Sequence, residues 1–416
     1  MSDYKKILAV DLNCRSANRF KSLVPIFQKN NINLKLIYDD NSFLKDEKIS
    51  EGFSLKNINS YPSKNFLKIL NSEKPDLVIV QNMHLLQMRA LNRCCKFLEI
   101  PIILLEHGVT SVVGLTNSKR FDAGKALKKR YIRILKGELI FKYLSYIKYF
   151  INTKASLKSW IFLFLESISK LIGKDFYTED WNYSAYCVYL ESDKKKLILQ
   201  LKNTIDKNKI HVVGNYDLNL FKMDLKSFNC YDLNIKSKTI LYIDSDCVER
   251  SFYNKKILYL RYMARVNHII NKNGYNMCIK LHPNSINKKI DIELAKLDIK
   301  SISNNEFIQK LQQSKFVIGE PSSINAIACL TGIPILTPIL KPFNKKRYGL
   351  IMEEYPNRID FSDLDELANI IKFKKLKSNK SEVSNWINKY AGPLPPGHFS
   401  KRVYYVIKNV LDSKLE

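Results

Sequence analysis

Three short polar clusters in the second half of the chain have residue types suited to holding a phosphate. Asp244-Ser245-Asp246 follows the apolar run Thr239–Ile243, His282-Pro283 follows Met277–Leu281, and Glu320-Pro321-Ser322-Ser323 follows Phe316–Ile318. A histidine beside a phosphate can donate a hydrogen bond or act as a general acid. Paired serines at a helix start offer hydroxyls next to unsatisfied backbone N–H groups and the positive end of the helix dipole. Asp-Ser-Asp formally matches a metal-binding Asp-x-Asp, but hydrogen bonding to a ligand or a linker is the simpler role for a strand end. Each cluster also has a bland role: His-Pro ends strands and Ser-Ser caps helices. What points to a ligand is their joint placement at neighbouring strand ends of one α/β unit.

The elements that must position these residues are short apolar runs alternating with helical patterns. Pro283 cannot donate to a β-ladder, so pairing should stop there and leave His282 at the sheet rim. Ser322 or Ser323 is the expected N-cap of a helix Ile324–Leu330, closed by Gly332. The first half of the chain has the same character. Strands are expected over Lys6–Leu12, Leu34–Tyr38, Asp76–Val80, Pro101–Leu105 and Tyr186–Leu190, and helices over Ser16–Asn30, Leu85–Leu98 and Ser192–Asn203. Its strand ends carry Asp11, Asp39-Asp40 and Glu106-His107-Gly108. His211-Val-Val-Gly214 closes this half, and the polar, aperiodic stretch Phe221–Lys238 reads as a linker. A helix over Asn254–Asn271 precedes the His282 strand. Pro338–Pro356 reads as basic loop, Leu364–Ile371 as helix, and Gly392–Gly397 as a rigid loop before a last helix, Ser400–Leu415.

Lys280-Leu-His282-Pro283 and Gly319-Glu-Pro-Ser322-Ser323-Ile-Asn-Ala together resemble the His-Pro and Ser-Ser motifs of bacterial GT-B sialyltransferases and polysialyltransferases. Similar signatures occur in Kdo transferases and in capsule or teichoic-acid polymerases that use CDP-activated polyols. The resemblance covers roughly Thr239–Leu336. It implies an α/β GT-B fold: two Rossmann-like domains facing a cleft, here residues 1–225 and 226–390, with residues 391–416 a helix crossing back. It also implies phosphate contacts from His282, Ser322 and Ser323 to a nucleotide-sugar donor; Pro283, Glu320, Asp244 and Ser245 are further candidate donor contacts at the same strand ends, and no other cofactor and no metal are expected.

Glycosyl transfer further requires a base for the acceptor hydroxyl, expected from the first domain. The acidic-acidic-glycine motif of the sialyltransferases has its closest counterpart in Asp39-Asp40-Asn41, where Asn41 tolerates the left-handed backbone glycine would take. Glu106-His107-Gly108 resembles the His-Gly of capsule and teichoic-acid polymerases. Glycine there permits close backbone approach, and His107 has a side-chain type suited to base work near neutrality. His107 and Glu106 are favoured, with Asp39, Asp40 and Asp11 behind them. The expected activity is transfer of a CMP-linked acidic sugar, sialic-acid-like or Kdo, to a glycan or lipid-linked glycan of the bacterial surface. The alternatives are polyol-phosphate transfer from a CDP-alditol and a UDP-sugar-dependent enzyme, transferase or epimerase.

Composition bounds the remaining classes. The chain has 416 residues, 45% of them hydrophobic, enough for two or three domains and a sizeable core. The eight cysteines show no paired metal-ligand spacing, which suggests reduced thiols in the cytoplasm. No apolar run approaches a membrane span, and the N-terminal apolar run is too short for a signal peptide. A net charge of +28 calls for an anionic partner. Much of the excess is local, with 14 Lys/Arg against 3 Asp/Glu from Lys119 to Lys174. Residues 119–180 interrupt the alternation, and amphipathic helices are expected over Lys125–Phe150 and Ser156–Ile172. A basic, aromatic helix suits the inner face of a membrane. No nucleic-acid-binding motif is present, so a nucleic-acid partner is not expected.

Overall fold

The computed structural model describes residues 4–11, 17–39, 48–83, 85–106, 138–171, 181–201, 205–220, 223, 225–232, 235–245, 256–282, 285–286, 289–341, 343, 345–373, 379–394 and 398–413. Among these, two largely parallel sheets follow one another along the chain. The first contains β1 (Lys5–Val10), β2 (Ile32–Tyr38), β3 (Lys48–Ser50), β4 (Phe53–Asn57), β5 (Leu77–Val80), β6 (Ile102–Leu105), β7 (Ala185–Val188) and β8 (Ile210–Val212). Their spatial order is β3-β4-β2-β1-β5-β6-β7-β8, with only β3 antiparallel. The second contains β9 (Thr239–Ile243), β10 (Asn276–Lys280), β11 (Lys300–Ser301), β12 (Ser314–Gly319), β13 (Ile335–Pro338) and β14 (Arg358–Phe361), in the order β11-β10-β9-β12-β13-β14.

Composition explains this arrangement. All four residues of β5, β6 and β7 are buried, which is how strands read when helices cover both faces of a parallel sheet. One contiguous core links the halves. Ile7, Ile79 and Tyr189 of the first share it with Ile243, Val317 and Ile335 of the second. The last helix, Phe399–Asp412, lies against Val24–Gln28 and β7 of the first half. Its Phe399 ring is buried and packs on Tyr189 (5.9 Å) and Tyr216 (5.6 Å).

Several expectations need correction. The first helix divides into Ala17–Lys21 and Val24–Gln28, with Pro25 in the first turn of the second. Proline has no N–H for an intrahelical bond and is tolerated only at a helix start. Neither Ser322 nor Ser323 caps the following helix. It runs Asn325–Leu330 with Ile324 at the N-cap and no side-chain cap bond. Two tight turns, Asn325 N to Ser322 O and Ala326 N to Ser323 O (both 3.2 Å), satisfy those donors instead. The linker is docked on the second half, since Asn229 N bonds Leu330 O (2.8 Å) and Tyr231 N bonds Thr331 O (2.9 Å). In the basic insert, helices Glu138–Asn152 and Leu157–Leu171 are present. His107, Gly108, residues 119–137 and 172–180, Asp40, Asn41, Asp246 and Pro283 lie outside the described residues.

Candidate functional site

The second sheet fixes where a ligand would sit. Numbered from its own first strand, its order is 3-2-1-4-5-6, so the chain reverses direction between β9 and β12. Ligands of such sheets occupy the crevice outside the carboxyl ends at that reversal. The strands bordering it are β9, β10 and β12, whose ends carry Asp244-Ser245, His282 and Glu320–Ser323.

Parallel pairing sets these ends level. Ile243 is in register with Lys280 on one side and Gly319 on the other. The ladder continues one residue beyond, with Asp244 N donating to Lys280 O and Glu320 N to Ile243 O, both at 3.1 Å. Two buried carboxyls then bind the ends to one another. Asp244, 2% exposed, accepts from His282 N (3.1 Å), Ser285 Oγ (2.6 Å) and Tyr259 OH (3.4 Å). Glu320 is completely buried and accepts from Tyr242 OH (2.5 Å), Ser245 N (2.8 Å) and Ser245 Oγ (2.9 Å). Both carboxyls thus spend their oxygens on the scaffold. His282 is half-buried at the rim, its backbone held by Asp244. Ser322 and Ser323 are also half-buried, and among the described residues neither hydroxyl has a hydrogen-bond partner.

A further layer supports this rim. Tyr348 OH donates to the carbonyls of Gly319 (3.0 Å) and Pro338 (3.1 Å), tying the ends of β12 and β13. Burial pushes the Tyr348 phenol well above its ordinary pKa, and the nearby Glu320 charge acts in the same direction. Lys280 is buried beside Asp244. Desolvation lowers its pKa against the opposing pull of Asp244, and its amine bonds Leu281 O at 3.2 Å. Asn325 is fully buried and donates to Glu320 O (2.6 Å). Its Oδ1 lies over the Gly319 Cα so closely that a Cβ there would approach within 2.6 Å. Position 319 must therefore be glycine for lack of space, not for backbone freedom.

Tyr242, Tyr259, Ser285, Tyr348 and Asn325 escaped the sequence reading. One signal was available: a tyrosine in the middle of an apolar strand, as in Thr239-Ile-Leu-Tyr242-Ile, must find a buried partner for its hydroxyl.

The first half supplies separate candidates. Asp11 is half-buried just past β1, with its N–H on Ile37 O (3.0 Å). Asp39 is exposed past β2, where Asn59 Nδ2 reaches its Oδ1 at 3.4 Å. Glu106 is half-buried past β6, its N–H on Cys187 O (2.9 Å). It faces Lys196, whose pKa is lowered by burial while the charges of Asp193 and Glu106 oppose that shift. Strands β1 and β5 separate β2 from β6. Three inter-strand steps place Asp39 and Glu106 about 14 Å apart, so one acceptor hydroxyl can meet only one of them. A concavity of about 540 Å³ lined by Lys6, Lys35, Gly52, Ser54 and Glu73 sits at the amino ends of β1, β2 and β4, facing away from all these residues.

No group of His, Cys, Asp or Glu side chains among the described residues is arranged to hold a metal ion.

The sequence matches no protein-family model and no curated protein. Solved structures do resemble the chain over nearly its whole length. The wall teichoic acid polymerase TagF aligns with a TM-score of 0.56 and 11% identity, covering 99% of this chain and 90% of that one. The S. aureus MnaA–UDP co-structure aligns at 0.52 and 15% identity, covering 98% and 97%. UDP-N-acetylglucosamine 2-epimerase from Rickettsia bellii aligns at 0.50 and 10% identity, covering 99% and 98%. At these identities the likeness concerns the fold, and the fold is GT-B.

Proposed function

We propose that this chain is a nucleotide-sugar-dependent GT-B glycosyltransferase of polysaccharide or cell-wall synthesis, with a uridine-diphosphate sugar as donor and a glycan as acceptor. The observation that carries it is the level rim at the strand reversal of the second sheet, where half-buried His282, Ser322 and Ser323 follow the carboxyl ends of β10 and β12 on either side of β9. Such a rim suits a diphosphate: hydroxyls and an imidazole N–H stabilise the negative charge that grows on the leaving group. The uridine donor is favoured over the CMP-linked acidic sugar by the GT-B relatives. One holds UDP, another is named for a UDP-sugar, and the CMP expectation stands on the motif resemblance alone. The likeness to a teichoic acid polymerase supports polyol-phosphate transfer as the second reading.

In this mechanism the base comes from the first half. Glu106 with its neighbour His107 is preferred, and Asp39 with Asp40 is the alternative. Charge on the leaving phosphate is met by His282, Ser322 and Ser323 rather than by a resident metal. The first carboxyl of Asp244-Ser-Asp246 supports that division, since it already accepts from His282 N, Ser285 Oγ and Tyr259 OH.

The test is thermal stabilisation by CMP, CDP, UDP and GDP, with Mg²⁺ or with EDTA, on the wild type and on His282→Ala and Ser322→Ala/Ser323→Ala. A ligand bound only by the native state raises Tm by mass action. The expected result is a UDP response that persists in EDTA and is lost in both variants. A preference for CDP would favour polyol-phosphate transfer, and one for CMP would restore the acidic-sugar donor. Equal responses in wild type and variants would remove the site from the second sheet's rim. UDP release that depends on added glycan separates a transferase from an epimerase.

A further inference from the structure

The helical hairpin Glu138–Asn152 and Leu157–Leu171 is fixed on one face and uncovered on the other. Inward, Tyr146, Phe150 and Leu163 are buried in the first half's core. Arg93 stacks over the Phe150 ring at 3.8 Å and donates from Nε to Thr153 Oγ1 at 2.9 Å, and Trp160 packs on Phe150 at 5.1 Å. The hairpin is therefore held rigidly against the helix Leu86–Phe97. Outward it presents Leu144 and Ile151 from the first helix and Leu157, Ile161, Phe164 and Leu165 from the second, at helical spacings that put each set on one face. Ile151 is 64% exposed, Leu157 76% and Phe164 65%. Lys148, Lys154 and Lys158 are exposed among them. From Leu139 to Leu165 the chain has four lysines and no acidic residue.

We propose that this outer face docks on an anionic lipid bilayer. The six apolar side chains would enter the acyl boundary while the lysine amines stay at the headgroups on their extended stems. Among the described residues no helix is long and apolar enough to cross a membrane, so the contact lies in the interface plane. Charge selects the occupant. A second copy brought up by two-fold symmetry would set the same lysines against one another, with no acidic residue between Leu139 and Leu165 to meet them. A nucleic-acid backbone offers nothing to bury six apolar side chains against. The surface is remote from the strand ends of both sheets in sequence and does not depend on which nucleotide they bind.

The test is co-sedimentation of the full chain with phosphatidylcholine vesicles, with and without phosphatidylglycerol, across a salt series. Binding to the anionic vesicles that weakens with salt is expected. Ile161→Glu/Phe164→Glu should reduce it by more than about tenfold, and Lys148→Gln, Lys154→Gln and Lys158→Gln by about fivefold each. These side chains are exposed, so unchanged melting and unchanged nucleotide response confirm that the variants fold. Phe164→Trp should give blue-shifted emission quenched by brominated acyl chains. The proposal is overturned if Ile161→Glu/Phe164→Glu binds vesicles as the wild type does. It is overturned equally if that variant instead abolishes lipid-free self-association or binding to an oligonucleotide.

Discussion

The division of labour at the rim makes Glu320 the residue to perturb first. If its carboxyl organises the scaffold, its loss should be felt as stability before it is felt as ligand binding. Glu320→Ala removes the acceptor for Tyr242 OH, Ser245 N and Ser245 Oγ, in residues that are 0% and 1% exposed. A buried donor deprived of its acceptor costs about 1–3 kcal/mol. The Ser245 hydroxyl can rotate to another partner, so two full penalties and one partial one give about 2–7 kcal/mol. Glu320→Gln keeps the shape and one acceptor oxygen. Its amide nitrogen can face Tyr242, whose hydroxyl can turn to accept, so the loss should be about 1–2 kcal/mol. Urea titration measures both, as a shift in midpoint at constant m. His282→Ala is the control. Its link to Asp244 is through the backbone N–H, which alanine retains, so it should cost under about 1 kcal/mol while abolishing the nucleotide response. A Glu320→Ala protein as stable as wild type but unable to bind nucleotide would refute the reasoning and make Glu320 a ligand contact.

Three further outcomes rest on individual contacts. Gly319→Ala sets a methyl 2.6 Å from Asn325 Oδ1, and should cost about 1–3 kcal/mol in urea titration, with Asn325→Ala in the same chain restoring part of it. Phe399→Ala empties a fully buried site between Tyr189 and Tyr216; a loss of about 3–5 kcal/mol is expected, with faster proteolysis of the last helix. For Glu73, burial acts to raise the pKa, but hydrogen bonds from Lys35 and Tyr61 and the charges of Lys35 and Lys56 outweigh it, so the net shift is downward. The unfolded chain then binds the extra proton first, and this stabilisation is complete above the ordinary glutamate range and lost as pH falls through the folded value. The urea midpoints of wild type and Glu73→Gln should therefore converge on acidification from about pH 6 to about pH 3.

How legible the fold was depended on how locally each element is determined. Strands such as Leu77–Val80 and Ile102–Leu105 are unbroken apolar runs, and they stand where the sequence places them within a residue. β14 was invisible because Arg358 and Asp360 break the apolar run, yet they pair with each other at 2.6 Å and with Thr337 of β13. β4, Phe53-Ser-Leu-Lys-Asn, has only two buried positions. The helix Asn304–Gln312 did carry a local signal, the capping box of Ser303 and Glu306, that apolar periodicity alone does not use. The serine cap failed for a different reason. A hydroxyl preference at helix starts is statistical, and here Ser322 and Ser323 meet the following N–H groups with their carbonyls.

At the site, the three polar clusters were legible as separate strand ends, but their unity was not, because it lies in bonds between residues 38 to 78 positions apart. Parallel register alone brings the ends of β9, β10 and β12 to one height; it does not orient the turn residues beyond each strand. That orientation comes from the crossed carboxyls, with Asp244 on β9 gripping the turn after β10, and Glu320 on β12 gripping Ser245 after β9. Each carboxyl stands at one strand end and fixes a neighbour's exit, so neither Ser245 nor the backbone of His282 can shift without breaking a bond to a buried carboxyl. On the proposed function such fixing matters, because phosphate donors that must reorganise on binding forfeit much of their electrostatic effect. On the proposed function, half-buried His282, Ser322 and Ser323 would meet the ligand while the buried Asp244 and Glu320 hold the strand ends that carry them.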